Sequence, residues 1–500
     1  MAYLDRRVDR YTRFQELLNK PHSRQCGNAF ILQTHDGPIQ TIRPRLEFLG
    51  AGAFGAAFAV VDPFLTARNI RTVIKLADRN NPENTGEIIF GYVASDLVKD
   101  GITPHLPLYT RCRRPNDHAN PSNVQNCNCN TDLNNVGCNF ERGHGNPHGN
   151  IMTFSPSFLG TQKHINYNLR KIDNCLVSFS ERLDGSFKSL MAERIDAANT
   201  AAALNAAEAL NIRSDADNEM TRNVLGLFAQ ISFGLKAMRQ TPHGSWVHRD
   251  LHPDNILYKD GINPPNPLNP LHGQFIKYHI NGSDYYIKHN NRLFVLWDFG
   301  KVKQISHVAP GADPGVFINE PLDYDYAHDL NRWFHLSGAG AYFAPPITAV
   351  QTNAWRASYH YDIARLAAGI HTLLPPWMTR TKVVCMVLLK HFIGLLNDGN
   401  AYSNLSVDPI TFINIIGNAF VAHGYANNPA NPEVVADMAY AINEWIAILN
   451  KEFVGGEVVH IIPPANQILK KYPIVPPGFH FGKAKKLPKS VRKAKKSPKK

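Results

Sequence analysis

Apolar residues fall into two regimes along the chain. Up to about residue 180 they come mostly in short runs set off by glycine and polar residues. Phe48-Leu49 precedes Gly50-Ala51-Gly52-Ala53-Phe54-Gly55, Phe58-Ala59-Val60-Val61 follows it, and Thr72-Val73-Ile74-Lys75 and Cys175 to Ser180 come later. Runs of that length, rich in Val, Ile and Phe, predict strands. A further strand is expected at Ala29 to Leu32. Residues 5–20 and Glu87 to Val98 instead carry their apolar residues at helical spacing. Beyond residue 180 the helical period dominates. Residues 190–210 are alanine-rich and helix-prone, Val224 to Met238 repeat at helical spacing, and the pattern from Tyr359 to about Leu449 is helical and apolar. Two β-like runs, Phe275 to Ile280 and Tyr285 to His289, joined by Asn281-Gly282-Ser283-Asp284, predict a hairpin insert. The class is α+β.

Candidate chemistry gathers in two places. His248-Arg249-Asp250-Leu251-His252-Pro253-Asp254-Asn255 packs acids, an amide and a cation ahead of the apolar pair Ile256-Leu257. On a loop leading into a strand, Asp250 can act as a base toward a hydroxyl, and Asn255 can serve as an oxygen ligand for a hard cation. The alternative is a polar surface loop. Later, the run Leu293 to Trp297 reads as a buried strand that ends at Asp298-Phe299-Gly300, which would supply a second acidic metal ligand.

Glycine loop, strand lysine, His-Arg-Asp loop with an asparagine five residues after the aspartate, and Asp-Phe-Gly occur in the order in which protein kinases carry them. Together, over residues 45–335, they resemble the signature set of the eukaryotic-type protein kinase superfamily. With its long inserts, the chain is similar to the divergent serine/threonine kinases of large DNA viruses, iridovirus-like ones among them. That resemblance implies a two-lobed protein-kinase-like fold with a small β-rich N-lobe, a mainly helical C-lobe and inserts. It also implies an ATP- and magnesium-dependent serine/threonine kinase acting on protein hydroxyls. Carried over residue by residue, Gly50, Ala51, Gly52, Ala53, Phe54 and Gly55 would cover the phosphates, and Lys75 would hold them. Glu87, with Glu83 as competitor, would pair with Lys75. Glu181 and Leu183 would meet adenine through their backbone. Asp250 would be the base, and Asn255 and Asp298 the magnesium ligands. Asp329 is the expected helix aspartate that braces the catalytic loop.

Two departures keep other readings open. His252 stands where serine/threonine kinases place a lysine, and no Ala-Pro-Glu follows the Asp-Phe-Gly triplet. A small-molecule phosphotransferase and a pseudokinase scaffold tethered to DNA are the alternatives. After Gly300 the only hydroxyl residue before Tyr324 is Ser306, so activation without loop phosphorylation is expected.

Charge changes the picture only at the end of the chain. The net charge is +12, and residues 483–500 carry ten lysines and arginines with no acid, leaving +2 for the remainder. The basic tail is expected to be the part that contacts DNA, without sequence preference. The expected domains are 1–40 as an N-terminal extension without chemistry, 41–180 as N-lobe, 181–460 as C-lobe with the hairpin insert at 260–292, and 461–500 as proline-containing linker and basic tail. Residues 111–150, inside the N-lobe, are asparagine-rich and hold Cys112, Cys127, Cys129 and Cys138. A zinc site is one reading, but Cys127-x-Cys129 is not the spacing of common zinc knuckles, and the asparagine-rich context favours a disordered insert. Seven cysteines argue for reduced thiols. The N-terminus lacks the apolar core of a secretory signal, and Val383 to Leu389 is too short to span a bilayer and reads as a buried helix. The expected setting is therefore intracellular, in host cytoplasm or nucleus or packaged in a virion, with no membrane anchor.

Overall fold

The glycine-flanked runs build one antiparallel ribbon. In the computed structural model, which describes residues 3–20, 32–35, 40–42, 44–52, 55–78, 82–110, 153–154, 175–239, 241, 245–262, 275–280, 283–289, 291–305 and 359–394, a two-residue pair β1 (Leu32–Gln33) and β2 (Thr41–Ile42) comes first. Strands β3 (Arg45–Gly52) and β4 (Gly55–Val61) then pair down to Gly52 opposite Gly55. Helix α2 (Pro63–Ala67), N-capped by the Asp62 side chain, leads to β5 (Thr72–Asp78). With β6 (Tyr109–Thr110), β7 (Thr153–Phe154) and β8 (Cys175–Glu181) these make a six-stranded sheet in the order β6-β8-β5-β4-β3-β7. In β4, Phe58, Ala59 and Val60 are all buried, as a continuous apolar run within a sheet requires.

Helix α3 (Pro82–Lys99) packs close to this sheet because residue 91 is glycine. A Cβ there would stand 2.7 Å from the Tyr109 ring, inside van der Waals contact. Ser95 Oγ locks the approach by donating to the carbonyls of Gly91 at 2.8 Å and Tyr109 at 3.1 Å.

After the short strand β9 (Gly185–Ser186), the Ser186 side chain caps α4 (Phe187–Leu204) by accepting the Ser189 N–H. Helix α5 (Ala209–Arg239) follows. Its 31 residues span roughly 46 Å, and its C-terminal half is buried in the main core. Strand β10 (Ser245–Val247) leads into the loop of residues 248–252, a 3₁₀ turn at Pro253–Asn255 and β11 (Ile256–Asp260). The hairpin β12 (Phe275–Ile280) and β13 (Ser283–Lys288) precedes β14 (Arg292–Leu296) and β15 (Lys303–Ile305). β11 lies between β14 and β9, and β10 pairs with β15. Two helices, α6 (Tyr359–Leu373) and α7 (Thr379–Gly394), pack on each other, with α6 also against α4 and α7 against α5. The buried Asp217 of α5 accepts the backbone N–H groups of Arg380 at 2.9 Å and Thr381 at 3.1 Å, placing a carboxylate on the positive end of α7. Val383 to Leu389 lie in α7 with every side chain except Met386 buried. No helix among the described residues is long and apolar enough to cross a membrane.

The mixed helix and sheet content agrees with the α+β class expected from the sequence. One expectation needs correction. The second strand starts earlier than the sequence suggests: Ile280 pairs with Ser283 and His279 with Asp284, so Ser283-Asp284 belong to the strand rather than to the connection. The hairpin is anchored in the core. Tyr278 is fully buried, stacks on Phe233 at 3.6 Å between ring centroids and meets His105 Nε2 at 2.5 Å.

The N-terminal extension also does structural work at the candidate site. Arg7 of α1 (Tyr3–Leu18) is buried and donates to the Glu181 carboxylate and to the carbonyls of Pro104 and Leu106 at 2.7 Å each. Tyr11 donates to the Phe179 carbonyl at 3.1 Å. Helical spacing alone shows an apolar stripe but not its partner, and here the partner is the end of β8. The expected strand residues 29–31, the cysteines of 111–150, Asp329, Ser306 and the tail 461–500 lie outside the described residues.

Candidate active site

A cavity of about 790 Å³ opens beside the sheet and is lined by Leu49, Gly50, Ala57, Val73, Lys75, Glu87, Glu181, Leu183, Asp250, Asn255, Leu257, Asp298 and Lys301, among others. It gathers, on one surface, residues that lie more than two hundred positions apart in sequence. Of the expected phosphate-covering residues, Gly50 is on its wall and Ala51, Gly52 and Gly55 continue the same ribbon. Ala53 and Phe54 fall outside the described residues.

Lys75 sits in β5, paired with both β4 and β8, so its backbone is held from two sides. Its Nζ lies 2.5 Å from Glu87 Oε2, and Tyr109 donates to Glu87 Oε1 at 3.0 Å. Glu87 is therefore the lysine's partner, and Glu83 only lines the cavity. Burial pushes the Glu87 carboxyl up and the ammonium pulls the other way. Burial would lower Lys75, but Glu87 and then Asp298, 3.9 Å away, raise it above its ordinary value. The lysine is thus held as a cation at the back of the cavity.

The loop after β10 is fixed from below by a carboxylate that sequence reading missed. Asp362, fully buried in α6, accepts the backbone N–H of Arg249 at 2.7 Å and of His248 at 3.2 Å. Burial raises its pKa against the opposing charges of His248 and Arg239. This is the brace expected at Asp329. An acid inside an otherwise apolar helical stretch, Tyr359 to Leu373, was the available signal, because a buried carboxylate must have donors. The brace holds Arg249 at φ 66°, a left-handed conformation uncommon outside glycine.

The buried His248 ring spans two segments. Nε2 meets the Trp297 carbonyl at 2.7 Å and Nδ1 meets the Asp250 N–H at 3.3 Å, which requires the tautomer protonated on Nε2. Its face packs near Phe299, with 5.5 Å between ring centroids, and Phe299 meets Phe90 of α3 edge-on at 4.6 Å. One aromatic column therefore ties the loop, the Asp-Phe-Gly triplet and the helix bearing Glu87.

Asn255 Nδ2 donates to the Asp250 carbonyl at 2.8 Å, and the Asn255 carbonyl accepts from Trp297 N at 2.8 Å. These bonds use the Asn255 amide nitrogen and main chain and do not involve its Oδ1, and the residue lines the cavity. Asp298 adopts φ 54° and caps the turn by accepting the Gly300 N–H at 3.3 Å. Its carboxylate is 43% exposed. One amide oxygen and one accessible carboxylate suit magnesium, which keeps much of its shell as water and phosphate oxygens. Among the described residues no cluster of three or more His, Cys, Asp and Glu side chains stands ready to hold a metal by itself.

Asp250 carries cations on both sides, with Arg365 Nη2 2.5 Å from Oδ1 and Lys301 Nζ 3.7 Å from Oδ2. Burial would raise its pKa, but Arg365 and then Lys301 outweigh it and hold the carboxyl below its ordinary value. Glu181 closes β8 rather than a free loop: its carboxylate takes Arg7 and the Leu108 N–H at 2.9 Å, and its backbone N–H donates to the Leu108 carbonyl at 3.0 Å. Leu183 follows in the step to β9, buried and on the cavity wall.

No protein-family model matches the chain, and no curated protein matches it in sequence. Among solved structures it is similar to one titled "ROP18 kinase domain in complex with AMP-PNP and sucrose", at 9% identity, over 89% of this chain and 95% of that one, with a TM-score of 0.28. A superposition that loose does not bear on function, and the chemistry rests on the geometry of the cavity.

Proposed function

We propose that this chain is an ATP- and magnesium-dependent phosphotransferase with the two-lobed organisation of protein kinases, transferring to serine or threonine hydroxyls of proteins. On the resemblance of its motifs and inserts, it would be a kinase of the large-DNA-virus type. The observation that carries the reading is the joint presence on one cavity wall of Gly50, the Lys75–Glu87 pair, Asp250, Asn255 and Asp298.

Phosphoryl transfer needs positioning and cancellation of charge more than covalent help. The β3–β4 ribbon offers backbone close to the phosphates, and Lys75, held by Glu87 and the sheet, offers a fixed cation. Asn255 and Asp298 would hold magnesium, whose charge would be shared with the phosphate oxygens. Asp250, kept ionised by its cationic neighbours, accepts the proton of the acceptor hydroxyl and orients it. Leu49, Val73, Leu183 and Leu257 give the cavity an apolar end suited to a base ring.

The test is transfer of labelled phosphate from ATP to basic proteins and, separately, to small aminoalcohols, with and without Mg²⁺, using wild type and Asp298→Asn. Protein labelling that requires Mg²⁺ and disappears in Asp298→Asn is expected. Labelling of the small alcohols alone would replace the protein substrate with a small one, a reading that His252 and the missing Ala-Pro-Glu favour. Equal labelling by wild type and a folded Asp298→Asn protein would refute the site.

A further inference from the structure

With His252 in place of a lysine two residues beyond Asp250, the loop itself brings no lysine to the acceptor end of the cavity, where a transferring phosphoryl group requires a cation. The histidine does not stand in for it. Its Nδ1 lies 4.0 Å from Asp254 Oδ2, a carboxylate that also takes Lys188 Nζ at 2.8 Å. Burial holds the ring below its ordinary pKa, so it brings little charge at neutral pH.

Two other cations do reach the place. Lys301, directly after the Asp-Phe-Gly triplet, lines the cavity with its side chain 51% exposed and its Nζ 3.7 Å from Asp250 Oδ2. Arg365 comes from the opposite side. It lies on α6 three residues after the loop-bracing Asp362, its Nη2 is 2.5 Å from Asp250 Oδ1, and its Nη1 donates to the Tyr361 hydroxyl at 2.9 Å. The same helix face continues to Gly369, where a Cβ would stand 2.7 Å from Pro253 Cδ. Positions 362, 365 and 369 thus form one stripe along the underside of the loop. The stripe fixes the loop's backbone, the Asp250 carboxylate and the following proline.

We propose that Lys301 is the cation that meets the terminal phosphate at the acceptor end of the cavity, and that Arg365 is a positioning residue that holds the Asp250 carboxylate from the buried side. The assignment rests on the phosphotransferase reading. In the step, the acceptor hydroxyl oxygen forms a bond to the terminal phosphorus of a nucleoside triphosphate as the bond from that phosphorus to the bridging oxygen breaks. The electron pair leaves with the diphosphate, and the hydroxyl proton passes to Asp250. Lys301 neutralises the non-bridging oxygens in flight. Arg365 forms an ion pair with Oδ1, the buried oxygen of the carboxylate, and Oδ2 is the oxygen that meets Lys301. Because the two cations come from separate segments, no lysine is needed within the loop itself.

The experiment titrates ATP and ADP, each with Mg²⁺, into wild type, Lys301→Ala and Lys301→Arg by calorimetry, and measures kcat and KM alongside. Lys301→Ala is expected to lose about tenfold in ATP affinity with ADP affinity unchanged and about 10²-fold in kcat, and Lys301→Arg should recover most of both. Arg365→Gln should leave both nucleotide affinities unchanged while kcat falls about 10²-fold, with partial recovery in Arg365→Lys, which also serves if the glutamine variant does not fold. An unaltered ratio of ATP to ADP affinity in Lys301→Ala would overturn the role of Lys301. Unaltered kcat in either Arg365 variant would overturn that of Arg365. If wild type binds neither nucleotide, the phosphotransferase reading itself falls and this assignment with it.

Discussion

Replacing Lys75 by methionine probes the pair at the back of the cavity. Methionine keeps the length and flexible stem of lysine and removes the charge, so packing changes little. What changes is Glu87, 2% exposed, whose Oε2 loses its ammonium 2.5 Å away and whose Oε1 keeps only the Tyr109 hydroxyl. Deleting one member of a buried pair costs about 3–5 kcal/mol. Since the Lys75 side chain is 28% exposed, water screens part of the attraction, and the lower end, about 3 kcal/mol, applies. Glu87→Gln should cost less, about 1–2 kcal/mol, because Lys75 still has Asp298 at 3.9 Å and access to water. The double variant leaves no unpaired buried charge, so it should lie within about 1 kcal/mol of wild type. That is far from the sum of the two single changes. The assay is urea unfolding followed by tryptophan fluorescence, with Trp297, 5.8 Å from the Tyr109 ring, as a local reporter. Additive losses, to within about 0.5 kcal/mol, would refute an interior ion pair. All three variants should be inactive in phosphate transfer.

Further outcomes follow from the same contacts. Asp298→Asn should keep the thermal midpoint of wild type, because asparagine tolerates the φ of 54°, whereas Asp298→Ala should lose a further ~1 kcal/mol or more to backbone strain; calorimetric melting separates the two. Asp362→Asn replaces one of the two acceptors that hold the N–H groups of His248 and Arg249 with a donor, so it should cost about 1–3 kcal/mol and abolish transfer, read by melting and by the labelled-phosphate assay. Arg7→Ala strands the Glu181 carboxylate, 7% exposed, and should cost about 3–5 kcal/mol while weakening ATP binding, since Glu181 lines the cavity; unchanged melting would show that α1 is not fastened there. Removing residues 483–500 should abolish salt-sensitive binding of duplex DNA and leave transfer to small substrates intact, tested by filter binding at low and moderate salt.

Local chemistry made most of the elements legible from the sequence alone. Short apolar runs rich in Val, Ile and Phe specified β3, β4 and β5 because strand preference and turn-prone glycines act over a few positions. The helical stripes of α1, α3 and α5 did so for the same reason. Lys75, Asp250, Asn255 and Asp298 could be singled out because phosphate and metal chemistry needs those residue types near strand ends and turns. The hairpin's extent was legible only in part, since Ser283 and Asp284, polar residues expected in the connection, already pair with Ile280 and His279.

What the tertiary structure decided were the partners, since burial and charge neutralisation act between segments distant in the chain. Asp362 became the loop's brace because α6 runs beneath residues 248–250; an acid in an apolar helical stretch points to a buried carboxylate but not to the donors it meets. Arg365 was one cation among many until that same helix set it against Asp250. Arg7 lay in a stretch alternating basic and acidic residues, which reads as a solvated helix face. Only the docking of α1 on β8 brought its guanidinium to Glu181 and the carbonyls of Pro104 and Leu106. A side chain's type limits what it can bind. Which of its possible partners it meets is fixed only when packing removes water from both, so those pairings are properties of the fold.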